Sequence, residues 1–269
     1  MQLSEDSSAL YAERDSLALQ KGEIMTINQK MKQLAQKYKV DPDALKSAID
    51  KIKNDEVILY AMSGKMGAGK DTIAALIADK LNNYNVVTLS YGSPIRKEMD
   101  EINTYYLKTK DLKKTAELFE ATEENISSLV SFLENTDVYA RTHDARLAVQ
   151  FWGADVRRNQ DKNYWINKLI QMIVDFLNNG RSVCVSDVRF INEADSIIAL
   201  NGKIIRVEVP EDVRLERILK RDNMTPTKKE LEHYSEIILD NYDFERKFNG
   251  EQLPKIIAEQ AVIYLGGKG

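Results

Sequence analysis

Cysteine is almost missing from this chain. Its 269 residues hold one, Cys184, which excludes a disulfide framework. That thiol stands in the apolar run Val183-Cys184-Val185, the setting of a buried core residue in a reducing compartment. Histidine is nearly as scarce, with His143 and His233 alone, and the chemistry developed below calls on neither. Positive charge is not in excess: 38 basic residues are interleaved with 42 acidic ones for a net charge of -4. A broad basic surface of the kind that neutralises many phosphates is therefore not expected, and no nucleic-acid polymer is expected as a partner. There is no apolar run long enough to cross a bilayer, and the N-terminus MQLSEDSSALYAERDS lacks the basic start and apolar stretch of a secretory signal. These absences lead to the expectation of a cytoplasmic protein without membrane association that binds small nucleotides at most.

What is present is 43% hydrophobic and 30% charged residues, enough for a substantial core. Ile27, Met31, Leu34, Ala35 and Tyr38 recur at helical spacing, and Asp41-Pro42 reads as an N-cap and first position of a helix striped by Leu45, Ile49 and Ile52. Residues 1–54 are expected to be a helical N-terminal extension, and 55–269 the main domain. Candidate strands follow at VILYAM (57–62), NVVTLS (85–90), RSVCVSD (181–187) and GKIIRVEVP (202–210), with FERKF (244–248) as a fifth with one wet face. Each of the first four leads into polar or helical sequence. This pattern predicts an α/β fold with a mostly parallel sheet covered on both faces, a three-layer sandwich. About ninety residues between the second and third strands are too many for a loop, so a helical insertion over about 93–165 is expected to form an acceptor-binding lobe.

The sharpest motif is Gly64-Lys65-Met66-Gly67-Ala68-Gly69-Lys70, which fits GxxxxGK directly after a strand and at the opening of a helix. Glycines there let backbone N–H groups turn toward phosphates, the helix start adds positive potential, and Lys70 can reach the β and γ phosphates. Asp71 stands where Ser or Thr usually serves Mg²⁺, and Thr72 follows. Either can be the metal residue: Asp71 through water with Thr72 on phosphate, or the reverse.

Asp187 ends the third strand, where ligands of open α/β sheets bind, and is a candidate to steady the metal; Arg189 offers a planar fork for an acceptor phosphate. Gln150 and Trp152 are candidates to hydrogen-bond and stack on a base. Arg157 and Arg158 point about 100° apart on a helix, so one of the two is expected to face the site. Downstream, Arg214, Arg217 and Arg221 share a helical face and suggest a lid over about 211–236 closing on ATP.

Together GKMGAGKDT (64–72), QFWGADVRR with DKNYW, SDVRFINEAD (186–195) and HYSE (233–236) resemble the deoxynucleoside monophosphate kinases of bacteriophages, a branch of the P-loop nucleoside monophosphate kinase superfamily. The resemblance runs from about 57 to 253 and omits the N-terminal extension; the fifth strand is less uniformly apolar than the family would have it. It implies ATP and Mg²⁺ as cofactors, a dNMP as acceptor and, for a phage-encoded chain, the host cytoplasm. It further implies that Arg96 in Ser93-Pro94-Ile95-Arg96 meets the acceptor phosphate, and on its strength alone Glu236 joins the substrate-binding set. Subunit number stays open, a homodimer included.

In this reading the acceptor's phosphate oxygen attacks the γ-phosphorus without a protein base, since a phosphate monoester with a second pKa of about 6 is already largely dianionic. Lys70, Asp187 with Mg²⁺, Arg217 and Arg221 carry the catalysis by position and charge. Two rivals stand beside it: a P-loop kinase of another small metabolite such as dephospho-coenzyme A, and a nucleotide-gated binding protein. A GTP switch is disfavoured by Asp187-Val188-Arg189-Phe190, which lacks a glycine three positions after the aspartate, and by Asn167-Lys168, which lacks the following acid.

Overall fold

The computed structural model describes residues 29–267 apart from 135, 141 and 224. The first 28 residues of the expected extension, Ile27 among them, lie outside it. In chain order the elements are α1 (residues 29–38), α2 (Pro42–Lys53), β1 (Leu59–Ser63), α3 (Lys70–Lys80), β2 (Val87–Leu89), α4 (Gly92–Thr109), α5 (Leu112–Leu118), α6 (Glu123–Leu133) and α7 (His143–Gln150). A π-helical stretch, Phe151–Arg158, continues α7, followed by α8 (Tyr164–Asn178), β3 (Val183–Val188), α9 (Ile191–Ala199), β4 (Lys203–Glu208) and α10 (Glu211–Asp222). The short α11 (Lys228–Leu231) and α12 (Tyr234–Ile237) precede β5 (Lys247–Asn249) and α13 (Pro254–Leu265).

All five strands are parallel, in the order β2-β3-β1-β4-β5. Alternation along β1 divides the two cores: Leu59 and Ala61 point into one, Tyr60 and Met62 into the other. The first is closed by α8 and α9, the second by α3 and α13, and Cys184 lies buried in the second. This is the α/β three-layer sandwich that the strand pattern predicts. One correction concerns the last strand, which is shifted to Lys247–Asn249. Phe244 instead joins the first core, with the Arg206 guanidinium 5.1 Å from its ring centroid, so the alternation over 244–248 reflects that anchoring and not a ladder.

The described part of the N-terminal extension shares the main core. Ala35, Tyr38, Leu45, Ala48 and Ile49 pack with α8 residues, Lys51 Nζ donates to the Asn178 carbonyl at 2.7 Å, and Asn178 Nδ2 donates to the Ala44 carbonyl at 3.0 Å. Asp41 caps α2 as its sequence suggests, its Oδ1 accepting from Ala44 N at 2.8 Å. Between β2 and β3, helices α4 to α8 build a third core around Met99, Ile102, Leu129, Trp152 and Trp165. Among the described residues no helix is long and apolar enough to cross a membrane.

Candidate active site at the carboxyl edge of the sheet

Chain order and sheet order diverge at β1 and β3: β1 is followed in the chain by β2, yet β3 lies between them. The loops leaving these two strands part toward different helices, and the crevice so formed is where open α/β sheets hold ligands. Residues 64–69 leave β1 there and lead into α3. Gly69 caps α3 in the left-handed region at φ 85°. Gly67 has φ 81°, and a Cβ on it would come within 2.8 Å of the Arg214 carbonyl oxygen. A side chain there would meet both backbone strain and a collision. Lys70 folds back along the loop, its Nζ donating to the carbonyls of Gly64 at 2.5 Å and Lys65 at 3.2 Å. Burial, then the neighbouring Arg189 charge, lowers its pKa to about 8, against the opposing pull of Glu236, Asp71 and Asp187.

The loop leaving β3 is re-aimed by an irregularity in the ladder. Ala61 pairs with Val185 but Ser63 pairs with Val188, so β3 carries one extra residue at Ser186-Asp187. Bulges of this kind turn side chains out of the pleat. Asp187 accepts from Tyr91 N at 3.2 Å, and burial raises its carboxyl pKa, with Asp71 pushing the same way and Arg189 opposing. Asp71 and Thr72 are both exposed on the first turn of α3. These hard oxygen donors suit Mg²⁺, and the mutual repulsion of Asp71 and Asp187 is what a cation between them would relieve. Among the described residues no three His, Cys, Asp or Glu side chains form a metal cage, so such an ion would draw its other ligands from phosphate and water.

From the phosphate loop a chain of charge-assisted bonds runs to the acceptor lobe. Glu236, 7% exposed on α12, accepts from the Met66 backbone N–H at 2.7 Å and from Arg189 Nη1 at 2.8 Å. Glu193 Oε2 accepts from the N–H groups of Arg189 at 2.9 Å and Phe190 at 3.2 Å, while its Oε1 takes Arg158 Nη2 at 3.1 Å. Burial pushes the Glu193 carboxyl up to about 7. The Arg158 guanidinium lies 4.5 Å from the centroid of the Phe190 ring.

Not every expected residue joins this chain of bonds. Arg157 is 2% exposed and turned away from this chain: its Nε donates to Glu98 Oε1 at 2.7 Å, and its two terminal nitrogens donate to the Phe119 and Glu120 carbonyls. Of the adjacent pair, only Arg158 faces the cleft. Trp152 is fully buried with Nε1 on Glu98, because the third core needs its bulk, so its ring is not available to a base. Gln150 is exposed at the end of α7, and Arg96 donates from Nε to the Val138 carbonyl at 2.9 Å. Arg214 is buried rather than poised to close. It donates from Nη1 to the Met66 carbonyl at 3.0 Å, and with Lys65–Asp240 at 2.7 Å it braces the phosphate loop. Arg217 donates to the Gly250 carbonyl at 2.9 Å with Nη1 near Gly69, and Arg221 is exposed one turn on. Glu98, Glu193 and Asp240 escape a reading of the sequence. For Glu193 there is a signal, an acid three positions after the residue that opens a helix.

The family model described as an AAA domain matches residues 61–239, from β1 through the segment that follows α12. A protein of Acanthamoeba polyphaga mimivirus, named "Putative deoxynucleotide monophosphate kinase", is 26% identical over 202 residues, covering 68% of this chain and 95% of its own. Among solved structures, a sugar kinase from a Janibacter species aligns over 79% of this chain and 96% of its own with 14% identity and a TM-score of 0.43. The Thermus thermophilus protein TT1252 aligns over 77% and 97% with 18% identity and a TM-score of 0.41. With the match spanning the phosphate loop, the bulged strand and the bracing segment in one stretch, the chain belongs to the AAA-domain family of P-loop proteins.

Proposed function

We propose that this chain is a kinase that transfers the γ-phosphate of ATP to a deoxynucleoside monophosphate. The observation that carries the reading is the bonded path from the Met66 amide through Glu236, Arg189 and Glu193 to Arg158. It joins a phosphate loop to a pair of arginine forks on the acceptor side. The name of the mimiviral relative supports the substrate class.

ATP phosphates lie on the amides of the loop and the start of α3, with Lys70 following charge onto the transferring group. Arg189 and Arg158 hold the acceptor's phosphate, and Arg96 is the further cation on that side. Arg217, with its guanidinium near Gly69, and Arg221 act on the ATP side. Asp187, with Asp71 or Thr72, would hold Mg²⁺, which when bound neutralises phosphate charge. The acceptor phosphate is its own nucleophile, so the side chains need only align two anions and exclude water. Glu236 is a positioning residue in this scheme: it fixes Arg189 against the loop.

The test is ADP release measured with ATP and each common dNMP and NMP, with dephospho-coenzyme A in the same panel. Turnover with one or more dNMPs, lost in a folded Lys70→Ala variant, is the expected result. Turnover with dephospho-coenzyme A alone would replace the acceptor, and no turnover with any acceptor would overturn the kinase reading.

A further inference from the structure

Arg206 is a charged side chain in a place that an apolar one would fill. It stands on β4 beside the central strand, pairs in register with Ser63, and shares a strand face with Ile204, which lies in the first core. It is only 6% exposed, yet its acids are not close. Asp240 Oδ1 lies 3.4 Å from Nη2, Glu208 Oε1 lies 3.9 Å from Nε, and Nε itself has no hydrogen-bond partner. Burying a guanidinium this way is unfavourable, and an apolar residue of like volume would pack there without the penalty. The stability of the sheet therefore does not account for the arginine.

Its partners do. Nη1 donates to the Ser63 hydroxyl at 3.2 Å, and Ser63 is the last residue of β1, directly before Gly64. Nη2 donates to Asp240, whose other carboxylate oxygen accepts from Lys65 Nζ at 2.7 Å. Both arms of the guanidinium thus end at the root of the phosphate loop, one through a hydroxyl and one through a carboxylate. The stack on Phe244 fixes the direction of the fork.

Asp240 belongs to the stretch that also supplies Glu236, which accepts from the Met66 N–H. Lys65 and Met66 are therefore gripped side by side from one short segment, and Arg206 ties that segment to the sheet. The Ser63 hydroxyl carries the connection further, donating to the Val188 carbonyl at the end of β3 at 3.3 Å. A loop whose amides must converge on phosphate binds more tightly when its shape is set beforehand, because less order has to be gained on binding.

We infer that Arg206 is a positioning residue for nucleotide binding: through Ser63 and Asp240 it holds the root of the phosphate loop in the shape that receives ATP. The inference rests on this loop being the ATP site and not on the identity of the acceptor.

Amide hydrogen exchange over residues 64–69, together with ATP titration of the full chain, tests it. Arg206→Met fills the same space without the charge, and its melting temperature should hold within a few degrees, because Asp240 is part-exposed and keeps Lys65. Exchange of the loop amides should still quicken about tenfold, and the ATP dissociation constant should rise by on the order of tenfold. Arg206→Lys, which keeps the charge but loses the fork, should recover part of both. Asp240→Asn should quicken the same amides, with less than additive effects when the two substitutions are combined. Unchanged loop exchange and ATP affinity in a folded Arg206→Met variant would overturn the inference. So would faster exchange in every strand alike, the mark of a merely structural residue. Should that variant fail to fold, unchanged exchange in Asp240→Asn overturns it instead. Exchange is read without nucleotide, so a loop that loosens as expected in a protein that turns over no acceptor would sink the kinase reading and keep this one.

Discussion

Replacing Glu236 with glutamine changes one atom and removes one charge, yet it should disturb both halves of the proposed site. The carboxylate accepts from Met66 N at 2.7 Å and from Arg189 Nη1 at 2.8 Å, one bond with each oxygen. A glutamine has one acceptor oxygen and turns its NH₂ toward one of the two donors, so one bond becomes a donor–donor contact. The Met66 half ties a buried carboxylate to a loop amide and is worth about 1.5 kcal/mol, at the low end for a hydrogen bond to a charged group. The Arg189 half counts for less, about 0.5 kcal/mol, because that arginine side chain is 39% exposed and its charge is screened. A loss of about 2 kcal/mol lowers the melting temperature by roughly 4–8 °C for a domain of this size. The kinetic effect should be larger on the acceptor than on ATP, because Arg189 loses its fixed direction while the α3 amides stay in place. Thermal melts and both KM values for Glu236→Gln, Arg189→Ala and the double variant form a double-mutant cycle, with the two effects expected to be non-additive. Fully additive losses, or a Glu236→Gln variant with unchanged melting and unchanged acceptor KM, would refute the claim that this carboxylate positions the arginine.

The two adjacent arginines should separate cleanly: Arg157→Ala takes the nearest counter-charge from buried Glu98, which keeps only Trp152, Tyr164 and the more distant Lys168, and should cost about 3 kcal/mol of stability, whereas Arg158→Ala should keep the melting temperature within a few degrees and raise acceptor KM about tenfold. Denaturant melts beside steady-state kinetics check this, and the reverse pattern would exchange their roles. Lys70 in the ligand-free protein loses its proton as pH rises through about 8, so kcat/KM for ATP should fall above that pH, while kcat, reporting the nucleotide complex, should hold to higher pH because bound phosphate raises the pKa again. A kcat/KM profile flat to pH 10 would contradict it. Glu193 holds its proton up to about 7 when folded but only to its ordinary value near 4.5 when unfolded, so folding binds a proton between these limits and stability should decline from pH 4.5 to 7 before levelling. Glu193→Gln should flatten that decline in urea titrations. Gly67→Ala should abolish ATP binding without unfolding the chain, since its Cβ would collide with the Arg214 carbonyl; normal ATP affinity would mean that the loop can yield.

Local signals reach some parts of this protein and stop short of others. The phosphate loop is legible because its glycines and lysine are contiguous and must lie between strand and helix, and Asp41 and Thr122 cap their helices for reasons contained within three residues. The sheet is legible because burial on both faces leaves unbroken apolar runs. The fate of Trp152 and Arg157 is not, because it depends on Glu98, more than fifty positions earlier on another helix. An arginine a few positions after a tryptophan looks the same whether its partner is a carboxylate distant in sequence or a substrate. Arg214 misleads in the same way: three arginines at helical spacing suggest one lid face that closes on ATP, but α10 lies so close to Gly67 that the first of them is sealed against the Met66 carbonyl. Asp187 could be placed at a strand end, whereas the extra residue in β3 that turns it emerges only once β1 is alongside.

The π-helical stretch from Phe151 to Arg158 carries a consequence for how this lobe could change over time. Wide turns of this kind hold an extra residue within an otherwise regular helix. Here the continuous helix must seat Trp152, Val156 and Arg157 in one core while handing Arg158 to the cleft on the other side. Loss of a single codon, at exposed Asp155 for instance, would restore ordinary helical bonding, and the wide turn would absorb the loss while the flanking faces kept their directions. The same loss in a regular helix such as α8 would turn everything beyond it by about 100°. In descendants of this sequence, a one-residue change of length is therefore to be sought in this segment before it is sought in its neighbours.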